Sequence, residues 1–214
     1  MKIGIISIEI GNVASVKNML LQIGFQPDLL AFPPPISTFF DWIILPGVGS
    51  YDNGIAKLKD SGWFSWLKEN HELEKNKKSS ILGICLGMQL LCDGSEEGTS
   101  AGLGLVPGFF KRFDFSNLSE NNLKIPHMGW NNVFFDETRI AWAEKFNKID
   151  PRFYFVHSYY YSHNSGQFII GKSDYGLTFG SAIKHNNIIG LQFHPEKSHK
   201  FGKLLLSEIL ICQN

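Results

Sequence analysis

Short, nearly continuous apolar runs recur along the first half of the chain, and most are followed by a segment with helical spacing. The runs are KIGIISI (2–8), PDLLAF (27–32), DWIILPG (41–47) and SSILGI (79–84). A strand that is apolar throughout, rather than at alternate positions, is buried on both faces, as in a parallel sheet covered by helices on both sides. The repeated strand–helix units therefore predict an α/β fold with a central, mostly parallel sheet.

Helix signals lie between these runs. Asn12 is a candidate N-cap for a helix that Gly24 can end. Between these residues, apolar side chains recur at helical spacing and form a stripe. The stripe consists of Val13, Val16, Met19, Leu20 and Ile23. Residues 54–70 predict one further helix, and another is expected to begin just after Cys85.

The second half is richer in strands and turns. Strand-like stretches include GLVPGFFKRF (104–113), RFYFVHSYYYS (152–162) and LTFGSAIKHNNIIGLQF (177–193). The last of these predicts a hairpin that turns at Asn186 and Asn187, followed by a helix capped by Ser198. Because no linker or internal repeat interrupts the pattern, we expect one domain over residues 1–214 with a mixed sheet.

Composition excludes several classes of partner. The 214 residues are 43% apolar, and 20 basic side chains balance 20 acidic ones. The one cationic cluster, at residues 75–78, is interpreted as a solvated segment. We therefore expect this neutral chain to bind neither nucleic acid nor membrane. The chain has three cysteines, an odd and low count that argues against a disulfide framework: Cys85, Cys92 and Cys212. Without a signal-like or membrane-spanning run, the expectation is a cytoplasmic protein with reduced thiols.

Cys85 lies at a strand-to-helix junction between two glycines, in GICLG (83–87). This is the form of a nucleophile elbow, which lifts the side chain out of the sheet edge and favours a thiolate at the start of a helix. It also directs the amide of Leu86 towards the space where an oxyanion would form. The alternative interpretation is a buried structural cysteine.

His194 and Glu196 follow the last apolar run, in GLQFHPEKS (190–198). A cysteine nucleophile needs a base, and a carboxylate two residues beyond a histidine can fix the imidazole tautomer. By itself the pair is also typical of an ordinary surface turn. Together with the elbow, it predicts a triad of Cys85, His194 and Glu196.

The third feature is LPGVGSY (45–51), a strand that runs into two glycines. Glycines let backbone N–H groups approach a ligand closely, so the peptides around Gly47, Val48 and Gly49 could supply a second oxyanion donor. A plain turn is the alternative. The stretch lacks the lysine of a phosphate-binding P-loop, and we expect neither a metal nor a cofactor.

These stretches, with KIPHMGWN (124–131) and FYFVHSYY (153–160), resemble the class I (triad) glutamine amidotransferases. Within that family, PGVG and PHMGWN are most similar to the branch that forms the glutaminase subunit of imidazole glycerol phosphate synthase. The resemblance covers residues 2 to about 205. It implies a flavodoxin-like three-layer sandwich, with a central mixed sheet, that releases ammonia from glutamine.

The resemblance also implies roles for individual residues. Cys85 would attack the side-chain amide of glutamine, His194 would act as acid and base, and Glu196 would orient it. Leu86 and the Gly47–Val48–Gly49 segment would hold the oxyanion. The implied contacts to glutamine are Gly49, Gln89, Glu97, His157, Ser158 and Tyr159. His127 and His157 are read as structural, or as lining the face towards a partner, rather than as the base.

Members of this family work with a (β/α)8-barrel synthase that receives the ammonia, and the glutaminase is nearly silent until that partner docks. One physical account is a peptide near Val48 whose carbonyl, rather than its N–H, faces the oxyanion site at rest.

The chain departs from the family pattern at Ser7–Asn12. Ser7, Ile8 and Glu9 stand where Asp, Tyr and Gly are common. This leaves open a paralogue that supplies ammonia to a surface-sugar synthetase. The residues also leave open a non-catalytic binding module on the same fold, and a cysteine peptidase or deglycase of related fold.

Overall fold

The computed structural model describes residues 1–35, 37–72, 79–116 and 123–211, so the cationic cluster at residues 75–78 and Cys212 lie outside the described residues. The strands are β1 (Ile3–Ile6), β2 (Asp28–Leu30), β3 (Trp42–Gly47), β4 (Ser80–Cys85), β5 (Gly94–Ser95), β6 (Phe109–Arg112), β7 (His127–Asn132), β8 (Phe134–Phe135), β9 (Arg152–His157), β10 (Tyr159–Ser162), β11 (Ile169–Asp174), β12 (Thr178–His185) and β13 (Ile188–Leu191). The helices are α1 (Val13–Gln22), α2 (Tyr51–Asp60), α3 (Trp63–Glu72), α4 (Leu86–Leu91), α5 (Ala143–Asn147) and α6 (His199–Ile211), and a short 3₁₀ turn covers Pro195–Lys197.

The main sheet has the strand order β2-β1-β3-β4-β13-β12-β10-β6-β5, and β11 and β8 extend it beside β12. From β2 to β13 the neighbouring strands are parallel, whereas β12 pairs antiparallel with β13, β10 and β11. A separate antiparallel pair joins β7 to β9. The expected mixed α/β sheet is therefore confirmed, with its parallel part formed largely by the first half of the chain.

Apolar side chains cover both faces of the parallel strands. Ile5 and Ile44 belong to one buried cluster, with residues of α1 and α6, while Ile6 and Ile43 belong to a second cluster, with residues of α2, α3 and α4. Successive strand residues point to opposite faces, so a strand buried on both sides must be apolar at every position. This is why the first half of the sequence reads as unbroken apolar runs.

Two local predictions have different outcomes. The side chain of Asn12 accepts a hydrogen bond from the Ser15 amide at 3.2 Å, as expected for the cap of α1. The prediction of one helix over residues 54–70 was wrong, because α2 ends at Asp60 and α3 begins at Trp63. The Gly62 amide donates to the Lys59 carbonyl, a tight end turn that closes α2.

The hairpin of β12 and β13 turns at Asn186 and Asn187 as predicted, and Asn186 adopts a φ of 53°. The hydroxyl of Ser198 was expected to cap α6. Instead it donates to the His194 carbonyl at 2.5 Å and accepts from the Tyr154 amide at 3.0 Å, so it fastens the loop before the helix to β9. Within the described ranges, no helix is both long and apolar enough to cross a membrane.

Candidate active site

The carboxyl ends of three neighbouring strands meet at one edge of the sheet. In the parallel register Gly47 of β3 stands opposite Cys85 of β4, and Leu191 of β13 stands opposite Ile84. The three sequence features PGVG, GICLG and HPEKS therefore lie side by side, although more than a hundred residues separate the first from the last. Ligands of open α/β sheets collect beyond such strand ends.

Cys85 forms the sharp junction between β4 and α4, with φ 54° and ψ −111°. A non-glycine residue with this backbone is strained and persists only where the surrounding packing enforces it. Glycines permit that packing. A Cβ on Gly87 would lie 1.8 Å from the Leu45 carbonyl oxygen, and a Cβ on Gly83 would lie 2.5 Å from Leu91 Cδ1. Both glycines thus let α4 lie directly against β3 and β4.

His194 and Glu196 form a buried pair behind the thiol. His194 Nδ1 donates to Glu196 Oε1 at 2.7 Å, and the two side chains are 1% and 3% exposed. Because Nδ1 is hydrogen-bonded to Glu196, Nε2 is the ring nitrogen that remains for a proton transfer. Nε2 makes no hydrogen bond of regular geometry with any described group. The amide of His194 donates to the Tyr154 carbonyl at 2.9 Å, so β9 fixes the backbone of the pair.

The charge on this imidazole follows from its neighbours. Burial lowers the pKa of His194, but the nearby Cys85 and then Glu196 favour the protonated ring, and together they raise the pKa above its usual value. An imidazolium between a carboxylate and a thiol stabilises a thiolate. The arrangement therefore favours a charged, nucleophilic sulfur.

Gln192, which the sequence reasoning did not predict, contacts two residues of the candidate site. Its Nε2 donates to Cys85 Sγ at 3.7 Å, and its Oε1 accepts from Gln89 Nε2 at 3.2 Å. The signal was present, because Gln192 lies two residues before His194 in the same stretch. A side chain two positions from a histidine on an extended strand points to the same side.

The sulfur opens into a cavity of about 290 Å³. Most of the predicted site residues line it: Val48, Gly49, Cys85, Leu86, Gln89, Glu97, His157, Ser158, Tyr159 and His194. Two predicted residues lie behind the cavity wall. Glu196 is covered by His194, and Gly47 packs against α4, where a Cβ would lie 2.5 Å from the Gly87 amide. Pro126 and Val156 complete the lining and were not predicted.

The segment between β3 and α2 is held away from an oxyanion-binding geometry. The Val48 amide donates to the carbonyl of Ile10, which lies in the loop after β1. That amide is therefore engaged elsewhere in this conformation. Gly49 has a φ of 107°, and a Cβ there would meet nothing within 4 Å, so its backbone angle rather than space requires a glycine.

The unusual loop at Ser7–Asn12 has a defined structure. Ile8 and Ile10 are buried, whereas Glu9 is exposed and forms an ion pair with Lys57 of α2 at 2.7 Å. Glu9 adopts a φ of 62°, a left-handed angle that costs least for glycine. The left-handed angle at Glu9 fits the glycine that the family resemblance leads one to expect at this position.

A buried pair of histidines lies beside the cavity. His157 Nδ1 donates to the Tyr159 carbonyl at 2.8 Å, so its Nε2 must accept from His127 Nδ1 at 3.0 Å. His127 Nε2 in turn accepts from the Asn131 amide at 3.3 Å. Burial lowers the pKa of His127 to about 4 and that of His157 to about 3. Both rings are neutral at physiological pH and connect β7 and β9 to β10, which fits the structural reading of these residues.

Glu97 brings a negative charge to the far side of the cavity. Burial raises its pKa, a hydrogen bond from the Tyr51 amide lowers it, and the nearby Asp52 charge raises it again. A cationic group bound at Glu97 would relieve the cost of holding this partly buried carboxylate. Among the described residues, no cluster of three or more His, Cys, Asp or Glu side chains could hold a metal ion.

Fold and site define the class of the protein. The sequence matches the family described as glutamine amidotransferase class-I over residues 6–211, and the chain belongs to this family. Its relatives include the protein named imidazole glycerol phosphate synthase subunit HisH 2 from Methanococcus maripaludis, 44% identical over 97% of this chain and 98% of the relative. Subunit HisH from Leptospira interrogans is 40% identical over 95% of this chain and 97% of its own length. The family resemblance seen in the sequence is confirmed.

Solved structures agree on the fold. A structure of PurLQS from Thermotoga maritima has a TM-score of 0.69 at 18% identity and covers 100% of this chain and 99% of its own. A crystal structure of a glutamine amidotransferase has a TM-score of 0.68 at 13% identity and covers 97% of this chain and 97% of its own. At these identities the likeness supports the three-layer architecture alone.

Proposed function

We propose that this chain is the glutaminase subunit of an imidazole glycerol phosphate synthase, acting in histidine biosynthesis. The observation that carries the proposal is that Cys85 and His194 line a cavity of about 290 Å³, with the buried Glu196 paired to His194 behind its wall. The relatives named as subunits of this synthase match nearly the whole chain. We further propose that residues 1–214 form one domain, because strands from both halves share one sheet.

The catalytic sequence proceeds through a thioester. The Cys85 thiolate attacks the side-chain amide carbon of glutamine, and the carbonyl electrons move onto oxygen. When the tetrahedral species collapses, the C–N bond breaks and the His194 imidazolium gives its proton to the leaving ammonia. His194 then takes a proton from a water molecule as that water attacks the thioester. The C–S bond breaks, which releases glutamate and regenerates the Cys85 thiolate beside the His194 imidazolium. Glu196 keeps the proton of Nδ1 in place and stabilises the imidazolium.

The remaining predicted residues bind the substrate. We propose that Glu97 holds the α-ammonium of glutamine, while Gln89, Gly49 and the backbone at residues 157–159 hold the rest of the amino acid. The support is chemical, since a zwitterionic substrate needs one carboxylate and several polar donors facing the same cavity. Gln89 also donates a buried hydrogen bond to Gln192, the residue that contacts the thiol. Substrate binding and the position of the thiol are therefore linked through this hydrogen bond.

We propose that the oxyanion is held by the Leu86 amide together with an amide of the Val48–Gly49 segment. The second donor is committed to Ile10 in the structure, so the resting site offers an incomplete oxyanion hole. A partner that releases Val48 from Ile10 would complete the hole, which is the physical basis we propose for a glutaminase that is slow on its own.

The partner is proposed to be a (β/α)8-barrel synthase that receives the ammonia. A docking face is offered by β7, where Met128 is 61% and Trp130 is 48% exposed. Trp130 stacks on His199, and Lys197 lies over the Tyr154 ring. Large exposed aromatic and methionine side chains beside the site are typical of interface centres. This face adjoins the catalytic loop, so ammonia would have a short path to the partner.

The test combines the chain with the barrel synthase of the same organism. Given glutamine and the synthase's own substrate, the complex should form imidazole glycerol phosphate and release glutamate, and the chain alone should turn over glutamine very slowly. Cys85→Ala should abolish hydrolysis, by about 10⁴-fold or more, and leave ammonia-dependent synthesis by the partner intact.

Three outcomes would overturn parts of the proposal. Normal hydrolysis by Cys85→Ala would exclude this nucleophile. Full activity of the isolated chain would exclude the resting-state account of Val48. Glutamate release without imidazole glycerol phosphate would point to the surface-sugar pathway instead.

A further inference from the structure

The carboxylate of Asp52 is the centre of a compact set of hydrogen bonds outside the cavity. Asp52 is the second residue of α2, and both of its oxygens accept from the Thr99 amide at 3.1 Å. Oδ1 also accepts from the Ser100 amide at 2.9 Å, and Oδ2 lies 3.5 Å from the Thr99 hydroxyl. One carboxylate thus binds two successive backbone amides of the loop that follows β5.

The loop is shaped around the ionised form of this side chain. A Cβ on Gly98 would lie 2.2 Å from Asp52 Oδ1, so the backbone of the loop approaches the carboxylate as closely as a glycine allows. The hydrogen bonds from Ser100 and Thr99 lower the pKa of Asp52. A carboxylate with only acceptor oxygens matches a loop that presents only donors.

The contact joins two parts of the proposed site. On one side, α2 begins at Tyr51, and Ser50 alone separates it from the Val48–Gly49 segment. On the other side, the loop carries Glu97 immediately before Gly98, and Glu97 lines the cavity. Tyr51 lies near enough to Glu97 for its backbone amide to act against the burial that raises the pKa of this carboxylate. The distance between Glu97 and the oxyanion segment is therefore set where the loop meets the first turn of α2.

We propose that Asp52 is a positioning residue for substrate binding. Its carboxylate fixes the loop that carries Glu97 onto the start of α2, and so places the Glu97 carboxylate where it receives the α-ammonium of glutamine. Asp52 does not line the cavity and acts through Glu97 alone. The inference rests on the proposed glutaminase function.

The test measures glutamine hydrolysis in the complex with the synthase partner. Asp52→Asn keeps the shape of the side chain but turns an amide NH2 towards donor groups. Asp52→Ala removes the contacts. We expect the KM for glutamine to rise between about 10- and 100-fold in both variants, as for a displaced binding group, with kcat changed by less than about threefold. Asp60→Asn, the same change at the exposed end of the same helix, should leave both constants unaltered.

A second substrate separates positioning from general damage. Glutaramate is glutamine without its α-amino group, so it cannot use Glu97. The wild-type complex and both Asp52 variants should hydrolyse it with the same low kcat/KM. An unchanged KM for glutamine in the variants would overturn the proposal, and so would an equal loss on both substrates, since that would mean that Asp52 supports the fold. If the wild-type complex hydrolyses no glutamine, the proposed function itself has failed.

Discussion

At the scale of single residues, the site depends on which polar atoms already have hydrogen-bond partners and which remain available to the substrate. Glu196 accepts a hydrogen bond from His194 Nδ1 at 2.7 Å, which leaves Nε2 for the thiol and the substrate. Gln192 Nε2 donates to the sulfur of Cys85 at 3.7 Å. Each of these side chains is buried, so its orientation is fixed before substrate binds. Preorganised groups of this kind contribute more in a low-dielectric site than they would in water.

A prediction at this scale concerns Glu196→Gln. Glu196 raises the pKa of His194, so its loss should lower that pKa and narrow the pH range over which the imidazolium faces a thiolate. We expect kcat of the complex to fall by about 10²- to 10⁴-fold at neutral pH, and the alkaline limb of the pH–rate profile to move to lower pH. Glu144→Gln, an exposed carboxylate that is distant in sequence from these residues, is the control. An unchanged profile in Glu196→Gln would contradict the assigned role.

At the scale of elements, glycines decide how closely α4 packs on the sheet. Gly83 and Gly87 flank Cys85 in the elbow. The space beside Gly87 is filled by the Leu45 carbonyl, and that beside Gly83 by Leu91 and the α4 backbone. Neither glycine lines the cavity, so the two glycines determine the elbow and not the pocket volume.

Gly87→Ala tests this packing. Its Cβ would lie 1.8 Å from a backbone oxygen, which cannot move aside as a side chain can. The free energy of unfolding should fall by about 3 kcal/mol or more, at the upper end of overpacking costs. Gly24→Ala is the comparison, because Gly24 has a φ of 91° and open space around it, and should lose only about 1–2 kcal/mol. Urea unfolding measures both. Equal losses would refute the steric account.

At the scale of the whole molecule, the neutral pair of His127 and His157 joins the separate β7–β9 sheet to the main sheet. His127 faces His157 across β7 and β9, and His157 reaches the Tyr159 carbonyl in β10. The aromatic rings of Phe155 and Tyr175 stack on His127. Protonation of either ring would place a charge in this apolar contact and remove an acceptor that the chain of hydrogen bonds requires.

This pair predicts the pH dependence of stability. The folded-state pKa values of about 4 and 3 lie below the unfolded value of 6.5, so the unfolded chain binds more protons in between. The contribution of the neutral histidines to the free energy of unfolding is complete above about pH 6.5 and is lost as pH falls towards 4. The free energy of unfolding then falls by up to about 1.4 kcal/mol per pH unit for each histidine. Urea unfolding from pH 7 to 4.5 measures the slope.

Two variants show whether the pair is the cause. His127→Asn keeps a donor near the position of Nδ1 but removes a titrating group, and should flatten the slope. His163→Asn, at a partly exposed histidine outside the pair, should not change it. Equal slopes in wild type and His127→Asn would show that other groups govern the acid sensitivity.

The sequence by itself determined the features that follow from local rules. Strands buried on both faces had to be apolar at every position, a cysteine between glycines at a strand end indicated an elbow, and an Asn-Asn pair indicated a hairpin turn. The most specific predictions were the identities of Cys85, His194 and Glu196, which the structure brings together. One helix was predicted where α2 and α3 are separate, because the reading followed the apolar pattern and passed over the local stop signal at Ser61 and Gly62. Gly62 adopts a φ of 81°, the left-handed angle with which glycine commonly ends a helix.

Only the tertiary structure decided which groups face one another across long separations in the chain. The pairing of β13 with β4 places His194 beside Cys85, β9 holds the catalytic loop through Tyr154, and Ile10 withdraws the Val48 amide. Asp52 and the loop after β5 meet in the same way. Such contacts join segments whose local patterns are independent of each other, because a hydrogen bond between distant residues constrains neither segment's periodicity. Their geometry is set by strand order and packing, which the whole chain fixes at once.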